Sequence, residues 1–191
     1  PIFTALLPIA KSRNIKYKDF INGIIVAYET SIRLAYAIQP SHYGLGYHPT
    51  STCGSIGVSA GIATMLGLSK KQLKDALSSA IVSSAGSLKV IENSSQLKPF
   101  NSGRSAVVGY LSSLMSEVGF EGPSDSLGGD TGFLSMMSKS YDLSKLIKNN
   151  SSNTKLAIDL VYFKPYAACR HAHPSIEASL ELKSKGLSAN Q

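Results

Sequence analysis

Apolar residues recur every three or four positions along most of this chain, the spacing of helices that bury one face. Phe20, Ile24, Tyr28, Ile32 and Ala35 predict a helix from about Asp19 to Ile38, stopped by Pro40. A second helix is expected from about Ser51 to Leu66, with a core face of very small residues: Gly54, Gly57, Ala60, Gly61 and Ala63. Glycine inside a helix costs about 1 kcal/mol against alanine, so this density needs a reason. Close approach of a second helix, or of a ligand, to the backbone would supply one. Ser69-Lys70-Lys71-Gln72 has the form of a capping box and opens a third helix through Ala85. A fourth, from about Ser102 to Val118, is expected to turn Val107, Leu111, Leu114 and Met115 inward and to stop at Gly119. Ser175 to Lys185 reads as a last helix ending at Gly186.

Between these lie segments with loop composition, at 86–100, 121–132 and 149–155. The last contains Asn149-Asn150-Ser151-Ser152-Asn153, polar enough for a linker between domains. Ile158, Leu160 and Tyr162 alternate with Asp159 and Val161, a short strand signal. No repeat or low-complexity tract interrupts the pattern. The class expected is mostly α, with a main helical domain over 1–155 and the start of a second domain over 156–191.

Composition narrows the function. At 191 residues and 43% apolar, the chain can bury one sizeable core. Two cysteines, Cys53 and Cys169, are too few for a disulfide framework, which points to a reduced, cytoplasmic protein. The strongest apolar run, Ile24-Ile25-Val26-Ala27, is soon followed by Glu29 and is too short for a bilayer. Nineteen Lys and Arg against twelve Asp and Glu leave a net charge of +7. The lysines are dispersed, and Lys70, Lys71 and Lys74 read as a solvated helix face. No aromatic residues interleave with them as a nucleic-acid platform requires. A small anion suits the balance at least as well.

Three segments carry candidate chemistry. In Tyr47-His48-Pro49-Thr50-Ser51-Thr52-Cys53-Gly54, a histidine precedes the glycine-rich helix. The free N–H groups of that helix end suit a carboxylate, and His48 suits general acid or base work. In Lys98-Pro99-Phe100-Asn101-Ser102-Gly103-Arg104, Lys98 or Arg104 could clamp a carboxylate. In Phe163-Lys164-Pro165-Tyr166-Ala167-Ala168-Cys169-Arg170-His171-Ala172-His173-Pro174, five functional side-chain positions crowd ten residues. Zinc on Cys169, His171 and His173 is the rival reading, opposed by the missing fourth ligand nearby and by the cations Lys164 and Arg170. No glycine-rich nucleotide fingerprint is present.

Taken in order, these segments resemble the MmgE/PrpD family. The resemblance rests on Tyr-His-Pro-Thr leading into a helix that ends Met65-Leu66-Gly67-Leu68-Ser69, and on Lys98 followed by Gly103-Arg104-Ser105-Ala106. Val118-Gly119-Phe120-Glu121-Gly122-Pro123, Gly129-Asp130-Thr131-Gly132-Phe133, and Phe163-Lys164-Pro165-Tyr166 with Cys169, Arg170 and His173 continue it. The resemblance implies a helical main domain, a smaller α+β lid domain, a homodimer, and a cofactor-free, metal-free lyase acting on a small polycarboxylate. The reaction implied is dehydration of the 2-methylcitrate type or decarboxylation of the cis-aconitate type. His48, Lys98 and Lys164 fall at the family's active-site positions, with Thr50, Arg104, Tyr166, Cys169, Arg170 and His173 as substrate-binding candidates. Two departures stand out: Cys169 occupies a position that is histidine in decarboxylase-type members, and Asn101 one that is histidine in many members. Family members are considerably longer, so the chain reads as an internal piece, and a catalytically inactive truncated paralogue acting as a scaffold is the alternative.

Overall fold

The structure, a computed structural model, describes residues 1–93, 95–147 and 155–187. The polar stretch expected as a linker at 149–153 lies outside the described residues. By its internal contacts the chain divides into two compact units, Pro1–Ile158 and Asp159–Gln191.

The first unit is a helical assembly built around one buried helix. Its helices are α1 (Ile2–Ser12), α2 (Tyr17–Ile38), α3 (Ser41–Gly44), α4 (Pro49–Met65), α5 (Lys70–Val82), α6 (Leu97–Glu117) and α7 (Phe133–Met137). Short 3-10 turns span Leu88–Ile91, Leu143–Lys145 and Ala157–Leu160. In α4 every residue except Pro49, Thr50 and Thr64 is buried, because α1, α2, α5 and α6 all pack on it. A helix sheathed on all sides needs small residues to let its neighbours in, and α4 supplies glycine, serine and alanine.

The closest approach is between α2 and α4. A Cβ at Gly61 would lie 2.6 Å from the Gly23 carbonyl oxygen, and one at Gly23 would lie 2.8 Å from that of Gly61. Of the two reasons expected for the glycine-rich face, Gly57, Gly61 and their partners on α2 realise helix–helix approach. One apolar cluster then forms where α1 meets α2 and α4, with Leu6, Ala27, Val58 and Ile62 fully enclosed. A second joins the C-terminal half of α2 to α4, α5 and α7 through Ile38, Ile56, Ala80 and Phe133. Each buried Leu, Ile or Phe contributes about 1.5–3 kcal/mol relative to an exposed one.

Local signals account for most element ends. Ser69 Oγ accepts from the Gln72 N–H while Gln72 Oε1 accepts from the Ser69 N–H at 3.1 Å, the expected capping box. Lys71 and Lys74 are solvent-exposed, as a charged helix face should be, yet both ammonium groups reach the buried carboxylate of Asp75, at 3.2 and 3.1 Å. Burial alone would raise the Asp75 carboxyl, but Lys74, the Gly122 N–H and Lys71 together hold it below its ordinary value.

Three expectations are corrected, and one helix is added. Helix α1 was not anticipated, although Ile2, Ala5, Leu6, Ile9 and Ala10 carry the helical period and are its buried positions. The segment 86–100 is not all loop: it holds a 3-10 turn and the first turn of α6, which starts at Leu97. Most consequential is the facing of α6. Val107, Leu111 and Met115 are 57, 51 and 39% exposed, and the buried stripe is Asn101, Ser105, Gly109, Ser112, Ser113 and Ser116. The strand expected at Ile158–Tyr162 is also absent: Ala157–Leu160 turns as 3-10 helix, and there is no strand among the described residues.

The second unit holds a 3-10 turn, Arg170–Ala172, running into helix α8 (His173–Ser184). No described helix is long and apolar enough to cross a membrane.

Candidate functional site

His48 is the N-cap residue of α4, with extended backbone (φ −97°, ψ 105°) and Pro49 in the first helical turn, where proline's missing N–H costs nothing. Its carbonyl accepts from the Ser51 and Thr52 N–H groups at 2.8 and 3.2 Å, which opens the helix. Upstream, the His48 N–H donates to the Gly86 carbonyl at 3.0 Å, and the Leu88 N–H donates to Gly46 at 2.6 Å. These two bonds frame an isolated antiparallel bridge between Tyr47 and Ser87. Gly86, at φ +145°, makes this crossing possible: a Cβ there would be strained and would overlap the Ser51 side chain.

The first two turns of α6 form the other wall. Asn101, 5% exposed, places Nδ2 3.2 Å from His48 Nδ1 and 3.5 Å from the Ser87 carbonyl oxygen. Lys98, one turn earlier, is solvent-exposed. Burial lowers the His48 pKa from its ordinary value, and the Lys98 charge lowers it further, so the ring is neutral at pH 7.

Arg104 lies on the same helix but faces inward. Its guanidinium donates to the Ala85 carbonyl at 2.5 Å, to the Ser83 carbonyl at 3.1 Å and to Ser51 Oγ at 3.1 Å. It thereby satisfies carbonyls beyond the end of α5 and holds the segment that carries Gly86. The Thr50 carbonyl accepts from Ser105 Oγ at 2.7 Å, tying the first turn of α4 to α6. The structure therefore brings His48, Thr50, Lys98 and Arg104 together around the N-terminus of α4. It adds Asn101, which the sequence marks as a departure from the family pattern one helical turn after Lys98 and not as a site candidate.

Behind this wall is a second histidine that sequence reasoning gave no role. His42 is fully buried, stacks on Tyr47 at 5.0 Å, and has Nδ1 2.7 Å from the Met137 carbonyl. Nδ1–H must donate there, so Nε2 accepts from the Thr52 hydroxyl, also at 2.7 Å. Burial lowers the His42 pKa, partly offset by the Met137 carbonyl. Cys53, next along α4, is pushed up to about 12 by burial and is a packed thiol at neutral pH.

The remaining candidates lie in the second unit and cluster among themselves. Lys164 Nζ donates to the Ala168 carbonyl at 3.2 Å, and His173 Nε2 reaches the same oxygen at 3.3 Å. The Tyr166 ring meets His173 edge-on at 5.2 Å. The Arg170 guanidinium lies 5.5 Å from the Tyr162 ring centroid. Cys169 is exposed, its sulfur 3.7 Å from His171 Nδ1. Among the described residues no three His, Cys, Asp or Glu side chains converge as a metal site would require.

Comparison with known proteins agrees with the helical architecture. The model of the MmgE/PrpD N-terminal domain matches residues 1–146. Over 135 residues, 70% of this chain, the sequence is 29% identical to the cis-aconitate decarboxylase of Homo sapiens. The chain spans 28% of the length of that relative. With the domain match running from α1 through α7 and covering the whole His48 neighbourhood, the chain belongs to the MmgE/PrpD family.

Proposed function

We propose that this chain is part of a cofactor-free lyase that takes a small polycarboxylate, by dehydration of the 2-methylcitrate type or decarboxylation of the cis-aconitate type. The observation that carries the reading is the grouping of a neutral histidine, an exposed lysine and a helix N-terminus at one place, His48, Lys98 and the first turn of α4. Both reactions build negative charge next to a carboxylate. Lys98 is a cation for that charge, and the positive end of the α4 dipole suits a carboxylate oxygen. The net charge of +7 favours an anionic ligand generally. Thr50 and Arg104 belong to this reading as residues that shape the α4 end. Lys164 as a catalytic residue, and Tyr166, Cys169, Arg170 and His173 as substrate-binding residues, belong to the same proposal. A cytoplasmic homodimer completes the proposal.

The test is turnover of 2-methylcitrate, citrate and cis-aconitate by the protein and by its His48→Gln and Lys98→Ala variants. Removing one preorganised donor from a site that stabilises developing charge typically costs about 10²–10³ in rate. Losses of that size in both variants, with folding intact by circular dichroism, support the lyase. Absence of turnover of all three acids by the unmutated protein refutes it.

A further inference from the structure

We propose that Asn101 holds His48 as the Nε2–H tautomer, so that His48 serves the substrate as a hydrogen-bond donor and not as a proton carrier. This rests on the reading above for the substrate, but not for the geometry.

The geometry begins with the Ser87 carbonyl, which can only accept. Asn101 Nδ2 faces it at 3.5 Å and faces His48 Nδ1 at 3.2 Å. Turning the carboxamide over would set Oδ1 against that carbonyl, oxygen to oxygen. With the NH₂ group in place, each of its two hydrogens has one acceptor, and His48 Nδ1 must be one of them. The ring proton is therefore on Nε2. Asn101 cannot swing away easily, because it is buried on α6 with only 5% of its surface exposed.

Protonating Nδ1 would aim one N–H at another. The charged side chains on the segments that meet here are Lys98 and Arg104 of α6, and Lys89 with Glu92 beside the 3-10 turn. Lys89 and Glu92 pair with each other at 2.6 Å. Arg104 is occupied by carbonyls, and Lys98 opposes a second cation. On α4, the nearest titratable partner acts through Thr52: His42, itself held neutral. Nothing on these elements favours an imidazolium at position 48.

The chemical consequence follows from proton counting. A neutral ring that gave up its Nε2 proton would become an imidazolate, because Nδ1 faces a donor and cannot be protonated in exchange. His48 thus keeps its proton and donates a hydrogen bond to an oxygen on which charge develops, while the proton exchanged with substrate belongs to another group. Asn101 is a positioning residue in this scheme.

The experiment is a two-bond ¹H–¹⁵N correlation spectrum of the chain with ¹⁵N-labelled histidine, in which only four rings appear. His48 is assigned by its loss in His48→Gln. Between pH 8 and 6 the unmutated chain is expected to show protonated Nε2 and bare Nδ1. Asn101→Asp replaces the donor by an acceptor, and the pattern should move towards Nδ1–H with a titration midpoint at least tenfold lower in proton concentration. Asn101→Leu, which keeps the bulk without the donor, should populate both tautomers and serves if the Asp variant misfolds. An Nδ1–H pattern in the unmutated chain, or an unchanged pattern in whichever variant folds, overturns the proposal. Turnover is read separately: the expected spectrum without turnover sinks the lyase and leaves the tautomer assignment standing, whereas turnover with the wrong tautomer does the reverse.

Discussion

Adding one methyl group to α4 at Gly61 should destabilise the protein, although alanine is the better helix former. The alanine Cβ would sit 2.6 Å from the Gly23 carbonyl oxygen, 2.7 Å from Ala27 Cβ and 3.3 Å from Leu6 Cδ2. The first two atoms are backbone or anchored directly to it, so no side-chain rotation relieves them. Ordinary contact needs a separation nearer 3.5 Å, so α2 and α4 must part by about 1 Å along the crossing. Overpacking a tight core costs about 1–3 kcal/mol, and loosening the Leu6–Ala27–Ile62 cluster adds to it. Against this stands a propensity gain of about 1 kcal/mol. The expected net loss is about 1–2 kcal/mol, read as a lower urea midpoint at unchanged slope. Gly103→Ala is the matched control: Gly103 lies in α6 with nothing within 4 Å of its Cβ position, and should gain about 0.5–1 kcal/mol. A Gly61→Ala variant as stable as Gly103→Ala would refute the close crossing of α2 and α4.

Other outcomes follow from the buried polar groups. His42→Phe leaves the Met137 carbonyl and the Thr52 hydroxyl without their partner, and should cost about 2–4 kcal/mol in urea unfolding. Because the folded-state pKa of His42 lies below its unfolded value near 6.5, its contribution is full above that pH and is lost as pH falls below it. The same variant should therefore flatten the decline in stability below pH 6.5, leaving the slope of like sign from His48. Thiol titration should find one fast-reacting cysteine in the native protein, the exposed Cys169, and two in denaturant. Cys53 is buried with its thiol raised to about 12.

The helical class was legible because period and punctuation agree. Pro40 stops α2, the capping box opens α5, and Gly67, Gly119 and Gly186 follow helix ends at positive φ. The His48 and Lys98 motifs were legible as residue types at helix starts. What could not be read was which face of α6 is inside. Apolar spacing placed Val107, Leu111 and Met115 inward, on the premise that the larger apolar side chains go to the core. The premise fails because α4 offers no room: Gly109 lies against Val58 so closely that a Cβ there would be 2.5 Å from Val58 Cγ1. Only a face of serine, glycine and asparagine fits, and it brings Asn101 to His48. The residue that completes the wall was thus hidden by packing, not by chemistry.

That inverted helix also explains how the spacing at the site is kept. An apolar seam between α4 and α6 could slide or repack at small cost, since core side chains of similar volume substitute for one another. A seam of hydroxyls cannot. Ser105 Oγ donates to the Thr50 carbonyl of α4 and Ser116 Oγ to the Gln72 carbonyl of neighbouring α5, at 2.7 and 2.6 Å. Ser113 Oγ lies 3.1 Å from the Ser59 carbonyl, and Ser59 Oγ passes on to that of Ala76 at 3.0 Å. A slip of α6 by one residue would strip several of these groups of partners while still buried, at about 1–3 kcal/mol each. Register is therefore enforced along α6 from Ser105 to Ser116. Lys98 and Asn101 stand one to two turns before the first of these pins, and His48 two residues before the Thr50 carbonyl that receives it. The 3.2 Å between Asn101 and His48 is consequently a property of the α4–α6 seam as a unit, not of either residue alone.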